Sequence, residues 1–393
     1  MLPRIAFFPD SFHEVNGVAH TSRNFEAFAR RRGVPFLCVR SGVRADALER
    51  EGDHWTLELP RSRLAISMER DLSFDPIFGR HTESIERTLG QFHPSMIHIT
   101  GPSELGILGA YFAHQLRVPL AASWHTNVHE YAAKRMRWLS RRLRGGTGET
   151  AERWTERGVF EAMARFYRRA DVLYAPNPPL CELLERRTGR PCHLMQRGVD
   201  TALFSPARRT RSAADTQPVL GYVGRLSAEK NVELLPRVHR ELESMGWRPR
   251  WLIVGHGADE ALLRRELGDA AVAGVLRGVG LAEAYATMDL FLFPSHTDTF
   301  GNVVLEALAS GVPAIVTPDG GPAHIVREGV TGRVVGDDEF ANAIAELLAA
   351  PERLHAMRTA AREHALGCTW DAVFERVLAA YPAQRVLQRA LQW

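Results

Sequence analysis

The chain has 393 residues, a net charge of only +3, and a composition that is 45% hydrophobic and 24% charged. That length exceeds one ordinary hydrophobic core and implies two domains of a soluble, globular type. The near-balanced charge is too small to imply nucleic-acid binding by itself, and no apolar run of about 18 residues is present to span a membrane.

From the start of the chain, MLPRIAFFPD loses its apolar character at Pro9 and Asp10, too soon for a signal peptide. Apolar runs then recur at 4–8, 36–40, 96–99, 119–124 and 172–176, each followed by a turn and a helical pattern. A second series follows at 219–224, 251–255, 290–294 and 313–317. Uninterrupted apolar strands alternating with helices predict an α/β chain with parallel sheets covered on both faces. Ligands of such sheets bind beyond the carboxyl ends of the strands. SPARRTRSAADTQP (205–218) reads as an exposed linker, which sets the expected domains at 1–204 and 205–369. TWDAVFERVLAAY (369–381) is a closing amphipathic helix. Cys38, Cys181, Cys192 and Cys368 are scattered without a C-x-x-C pair. Neither a zinc site nor a disulfide framework is expected, and a reduced cytoplasm is the simplest setting.

Several groups along this plan carry chemistry. Asn16-Gly17-Val18 follows the first strand, where a glycine lets backbone approach a phosphate. His125, just past the run 119–124, is placed for a neutral imidazole to hydrogen-bond a sugar; a purely structural histidine would look the same. KRMRWLSRRLR (134–144) has six basic residues and no acidic one. Drawn as a helix, it sets Lys134, Arg137, Arg141 and Arg144 beside an apolar stripe with Trp138, which fits an anionic membrane surface as well as a solvated helix.

The second series is sharper. Arg225 and Lys230 sit five positions apart after VLGYVG, cations suited to a diphosphate leaving group. Gly255-His256-Gly257 also follows a strand, but Glu260 breaks the G-x-G-x-x-G dinucleotide fingerprint. TDTFGNVVLEALASGVP places Asp298 in a loop and Glu306 about one turn into a helix closed by Gly311. Gly301 and Asn302 open that helix, where backbone N–H groups attract anions. Gly320-Gly321-Pro322 follows the next strand and is placed to wrap the same ligand. Cations for a diphosphate and carboxylates for sugar and ribose hydroxyls together point to a nucleotide-sugar enzyme.

These residues resemble those of glycosyltransferase family 4, of the GT-B type. The likeness covers nearly the whole chain, strongest over 219–336 and weakest over 130–170. It implies two Rossmann-like domains facing each other across a cleft, the first on the acceptor side and the second binding the donor. The end of the chain, 370–393, would pack back on the first domain. It further implies that Arg225 and Lys230 hold the donor diphosphate, Glu306 the ribose, and Asp298 the transferred sugar. Phe300, Gly301 and Asn302 would line sugar or phosphate, and Gly17 would approach the phosphates from the first domain. His125 would lie near the anomeric region, and the backbone near Arg277 and Val279 would flank the base. The family pattern has two glutamates separated by seven residues, whereas the first here is Asp298, one methylene shorter. T-D-T-F-G-N-V-V-L-E resembles the branch with mannosyl- and sulfoquinovosyl-transferases acting on glycolipids.

The implied reaction is hexosyl transfer with retention, with a mannosyl group from GDP-mannose as the leading expectation and UDP-sugars as the alternative. The acceptor expected is a hydroxyl of a glycolipid or other cell-envelope glycan. No metal or other cofactor is expected, and the enzyme would be cytoplasmic, peripheral at the inner face of the plasma membrane. A nucleotide-sugar epimerase or phosphorylase of the same architecture remains the rival.

Overall fold

The computed structural model describes residues 2–14, 17–42, 46–69, 72–124, 158, 160–212, 214–298 and 300–382. The chain divides into two compact units, Met1–Gln196 with Phe374–Trp393, and Arg197–Val373.

The strands of the first unit are β1 (Ile5–Phe8), β2 (Phe36–Gly42), β3 (Ala47–Glu51), β4 (His54–Pro60), β5 (Ile66–Glu69), β6 (Leu72–Phe74), β7 (Met96–Ile99), β8 (Leu120–Ser123), β9 (Val172–Ala175) and β10 (Cys192–Leu194). Eight of them form one sheet in the order β10-β9-β8-β7-β1-β2-β4-β3, while β5 and β6 pair separately. Pairing in the sheet is parallel except between β3 and β4. Every residue of β1, β7, β8 and β9 is buried, as expected of strands covered on both faces. The strand order reverses between β1 and β7, which opens a crevice beyond their carboxyl ends.

From Phe374 on, the closing helix Trp370–Ala379 packs within this unit. Phe374 stacks on Phe25 with ring centroids 4.6 Å apart. The Tyr174 hydroxyl donates to the Val377 carbonyl at 2.9 Å, and Arg32 pairs with Glu375. Tyr381 reaches the buried His98, whose Nδ1 lies 2.6 Å from its hydroxyl and whose Nε2 lies 2.6 Å from Ser123 Oγ.

The second unit holds β11 (Val219–Val223), β12 (Arg250–Val254), β13 (Val272–Gly274), β14 (Leu290–Phe293), β15 (Ala314–Val316) and β16 (Gly332–Val334). They form an all-parallel sheet in the order β13-β12-β11-β14-β15-β16. Here the order reverses between β11 and β14, so the loops after these two strands flank the natural ligand crevice.

Residues 205–218 lie inside this second unit and are anchored to it. Arg209 and Arg211 donate to Asp289 at 3.1 and 2.6 Å, and Arg358 joins them at 3.2 Å. Asp289 also accepts from the Val219 N–H at 2.9 Å. Burial of its carboxyl is outweighed by these donors, which hold it below the usual carboxylate range. The stretch is therefore a braced segment at the amino end of β11 and β14 rather than a free linker.

Candidate active site

The donor-side groups are carried by the loops at the reversal point of the second sheet. β11 ends at Val223, and Arg225 emerges with an exposed guanidinium paired to Glu229 at 3.2 Å. The turn that follows presents Lys230. Its Nζ donates to both Asp298 oxygens, at 2.9 and 2.8 Å, in a mostly buried contact. One cation and one carboxylate, 68 residues apart in the chain, thus meet between the ends of β11 and β14.

The helix Asn302–Ala309 starts at Gly301, whose φ is +90°, a conformation that disfavours any residue with a Cβ. A Cβ there would also lie 3.0 Å from Pro322. Gly320 is equally constrained, since a Cβ would stand 2.6 Å from the Asp298 carbonyl. The Gly321 N–H donates to that carbonyl at 2.7 Å. Gly320-Gly321-Pro322 therefore seats the Asp298 loop at the start of this helix.

Glu306 lies one turn into this helix, half-buried, and accepts from the Tyr285 hydroxyl at 2.9 Å. Burial pushes its carboxyl up to about 7, against the pull of that hydrogen bond. Such a group is poised to accept from neutral hydroxyls, as in a ribose diol. Asn302 meets the Arg197 guanidinium at 3.5 Å. Burial lowers the pKa of Arg197, and the Asp298 charge partly restores it.

The comparisons with known proteins agree with this fold. The model for glycosyltransferase family 4 matches residues 15–203, and that for glycosyl transferases group 1 matches 205–364. The chain is 32% identical to a GDP-mannose-dependent alpha-mannosyltransferase of Mycobacterium tuberculosis, over 97% of both chains. This chain belongs to glycosyltransferase family 4. A relative of the same printed name from Corynebacterium glutamicum is 30% identical over 96% of this chain and 88% of its own. Among solved structures, a sucrose-phosphate synthase from Thermosynechococcus elongatus superposes with a TM-score of 0.67 at 21% identity, covering 97% of this chain and 100% of its own. The fold class is GT-B, as expected, and the enzyme is a nucleotide-sugar glycosyltransferase.

Within this glycosyltransferase, Lys230 and Asp298 come together, and Gly301, Asn302 and Glu306 line the same strand edge. Arg225 stands beside them with its side chain in solvent. Arg277 and Val279 lie past β13, two strands from β11, and both are exposed. Phe300 is buried in the hydrophobic core, so only its backbone can face a ligand. Gly17 opens the helix Gly17–Arg32 after β1 in the first unit. His125 and the basic stretch with Lys134, Arg137, Trp138, Arg141 and Arg144 lie outside the described residues. Gly255 and Gly257 have a packing role, because a Cβ on either would strike the Gly224 or Leu226 carbonyl at 1.9 or 2.1 Å.

Sequence reasoning missed Tyr285, Arg197 and Asp10. Tyr285 sat in what reads as plain core, and Arg197 was one arginine before a glycine. In the sequence Asp10 reads only as the end of an apolar run. It stands after β1 at the reversal point of the first sheet, where Ser103 Oγ donates to it at 2.5 Å. Burial pushes its carboxyl up to about 6, against that hydrogen bond. An acid directly following a central apolar strand is the signal that could have flagged it.

Removing the Tyr285 hydroxyl tests the support of Glu306. Tyr285→Phe should raise the donor KM about threefold to tenfold, the scale of the net worth of one ordinary hydrogen bond, about 0.5–1.5 kcal/mol. It should also move the acid limb of the pH profile upward, because the ionised carboxylate loses a donor. Unchanged KM and pH profile together would show that Glu306 needs no such support.

Proposed function

We propose that the enzyme transfers a mannosyl group from GDP-mannose to an acceptor hydroxyl, with retention at the anomeric carbon. The observation that carries this is the contact of Lys230 with Asp298, which sets a phosphate-binding cation against a sugar-binding carboxylate. The mannosyltransferase names of its near full-length relatives support the choice of sugar. In this scheme the bond between the anomeric carbon and the diphosphate breaks, and GDP departs with the electron pair. The acceptor oxygen bonds the anomeric carbon on the same face, and its proton passes to the departing phosphate oxygen. Asp298 is already engaged by Lys230, so a front-face reaction fits better than attack by a carboxylate.

Lys230, Arg225 and the helix N–H groups would meet the leaving-group charge, with no metal required. Glu306 would hold the ribose, Asp298 the sugar hydroxyls and His125 the anomeric region. Donor hydrolysis and thermal shift with GDP-mannose against UDP-sugars test the reading. Stabilisation and turnover by UDP-glucose alone would replace the mannosyl assignment with the UDP-sugar one.

The acceptor we infer is lipid-linked, presented at an anionic membrane surface to residues 134–144. No helix among the described residues is long and apolar enough to cross a membrane. Co-sedimentation with anionic liposomes should fall at least tenfold when Arg137, Arg141 and Arg144 are all changed to Glu, given about 1 kcal/mol per basic residue near such a surface. Undiminished binding would remove the membrane role.

A further inference from the structure

His296 opens the loop after β14, two residues before Asp298. Its Nδ1 lies 2.8 Å from Asp319 Oδ2, and its Nε2 lies 3.1 Å from Asp337 Oδ1. Asp319 belongs to the loop after β15, and Asp337 to the turn after β16. One imidazole thus joins three successive loops at the carboxyl edge of the sheet. The amide of Asn231, next to Lys230, completes the cluster. Its Nδ2 donates to Asp337 Oδ2 at 2.9 Å and to the Pro294 carbonyl at 3.2 Å, and lies 3.4 Å from His296 Nε2.

The geometry constrains the protonation state. A neutral imidazole has one N–H and one lone pair. It can satisfy one of the two carboxylates and must turn a lone pair toward the other. Only the imidazolium donates to both.

We propose that His296 is a positioning residue: as an imidazolium it clamps the Asp298 loop to the loops after β15 and β16, and donor affinity falls when that clamp opens. The proposal rests on the donor reading of Lys230 and Asp298. The link to them is short, since Asp298 is two residues from the ring and its carbonyl is also held by Gly321.

The charges around the ring are accounted for. Asp319 and Asp337 face it directly. Arg237, from the helix Leu234–Ser244, donates instead to the Asp337 carbonyl and to Asp338. Glu339 accepts from the Gly336 N–H, and Lys230 is taken by Asp298. Burial disfavours the charged ring, but the two carboxylates outweigh it and raise the pKa above the ordinary 6.5. A raised pKa means that the clamp is fully present below the ordinary value. It is lost as pH rises through the raised one.

Two measurements on wild type and His296→Gln decide the matter. Thermal unfolding of the ligand-free protein should show a Tm gap between them that is largest near pH 6 and closes at alkaline pH. Initial rates with GDP-mannose as donor should show the wild-type KM rising about fivefold on the alkaline side, the scale of a partly exposed ion pair. The His296→Gln KM should start high and stay flat there. Asp319→Asn, which leaves the ring one carboxylate, should bring the wild-type rise to lower pH. Glu306 acts on the acid side with the opposite sign, so the two limbs separate. Parallel KM profiles for wild type and His296→Gln would overturn the proposal, as would a Tm gap independent of pH. If neither GDP-mannose nor a UDP-sugar is turned over, the donor reading fails, and the Tm comparison alone still shows whether the ring clamps the loops.

Discussion

Lys230→Ala should lower kcat/KM for the nucleotide sugar by about 10²–10³-fold, the cost of removing one preorganised charge aimed where negative charge develops. The diphosphate gains charge as the bond to the sugar breaks, so the effect should fall on kcat more than on KM. Lys230 is well placed for this because its stem is largely buried and its Nζ is fixed by both Asp298 oxygens. Lys230→Ala also leaves the mostly buried Asp298 carboxylate without its partner, so its Tm should fall as well, and rates are compared at a temperature where both proteins are folded. Arg225→Ala should cost less, since its side chain starts in solvent beside Glu229 and must be recruited. Steady-state rates with varied donor check both. Turnover within tenfold of wild type for Lys230→Ala would sink the leaving-group assignment.

Glu306→Gln should move stability and donor affinity in opposite directions. The folded protein raises this carboxyl from 4.5 to about 7. A raised pKa means that stability is full below the ordinary value and declines as pH climbs through the raised one. Above pH 7 the wild type therefore carries a half-buried anion at a cost of about 2 kcal/mol, after discounting for its partial exposure. Glutamine removes that cost, and the ligand-free variant should melt a few degrees higher at pH 8 but no higher at pH 4. The same substitution removes the charge that would accept two ribose hydroxyls. A hydrogen bond to a charged group contributes about 1.5–3 kcal/mol against about 1 kcal/mol for the neutral bond that the glutamine carbonyl still accepts, so the loss over two bonds is about 2–3 kcal/mol and donor KM should rise by roughly a hundredfold. The acid limb of the wild-type kcat/KM, which rises with pH toward about 7, should vanish in Glu306→Gln. A variant that melts lower at pH 8, or that keeps the acid limb, would contradict the assignment.

How much of this was legible in the chain depends on burial. The fully apolar runs became central strands because strands covered on both faces admit almost no polar residue; β1, β7, β8, β9, β11, β14 and β15 are the cases. Edge and near-edge strands left no such trace. β3 exposes nearly all its residues, and β13 and β16 are three-residue strands containing glycine. The donor loops were readable because turn, helix start and carboxylate spacing are local signals. Direct contacts across the chain were not. Nothing in the sequence pairs Lys230 with Asp298, His296 with Asp319 and Asp337, or Tyr285 with Glu306. These partners are brought together only by the strand order, which apolar runs do not encode. The same holds for 205–218, whose composition suggests a linker while its arginines converge on Asp289.

That convergence has an evolutionary side. Asp289 and its three arginines gather at the amino end of β14, while the donor groups lie past the carboxyl end of the same strand, across the four-residue span Leu290–Phe293. Under the proposed donor reading, folding strength and sugar choice would occupy opposite ends of one rod, so substitutions near Asp298 could alter the donor while the arginine knot keeps the sheet intact. Substitutions in the knot should lower abundance, whichever sugar the enzyme carries.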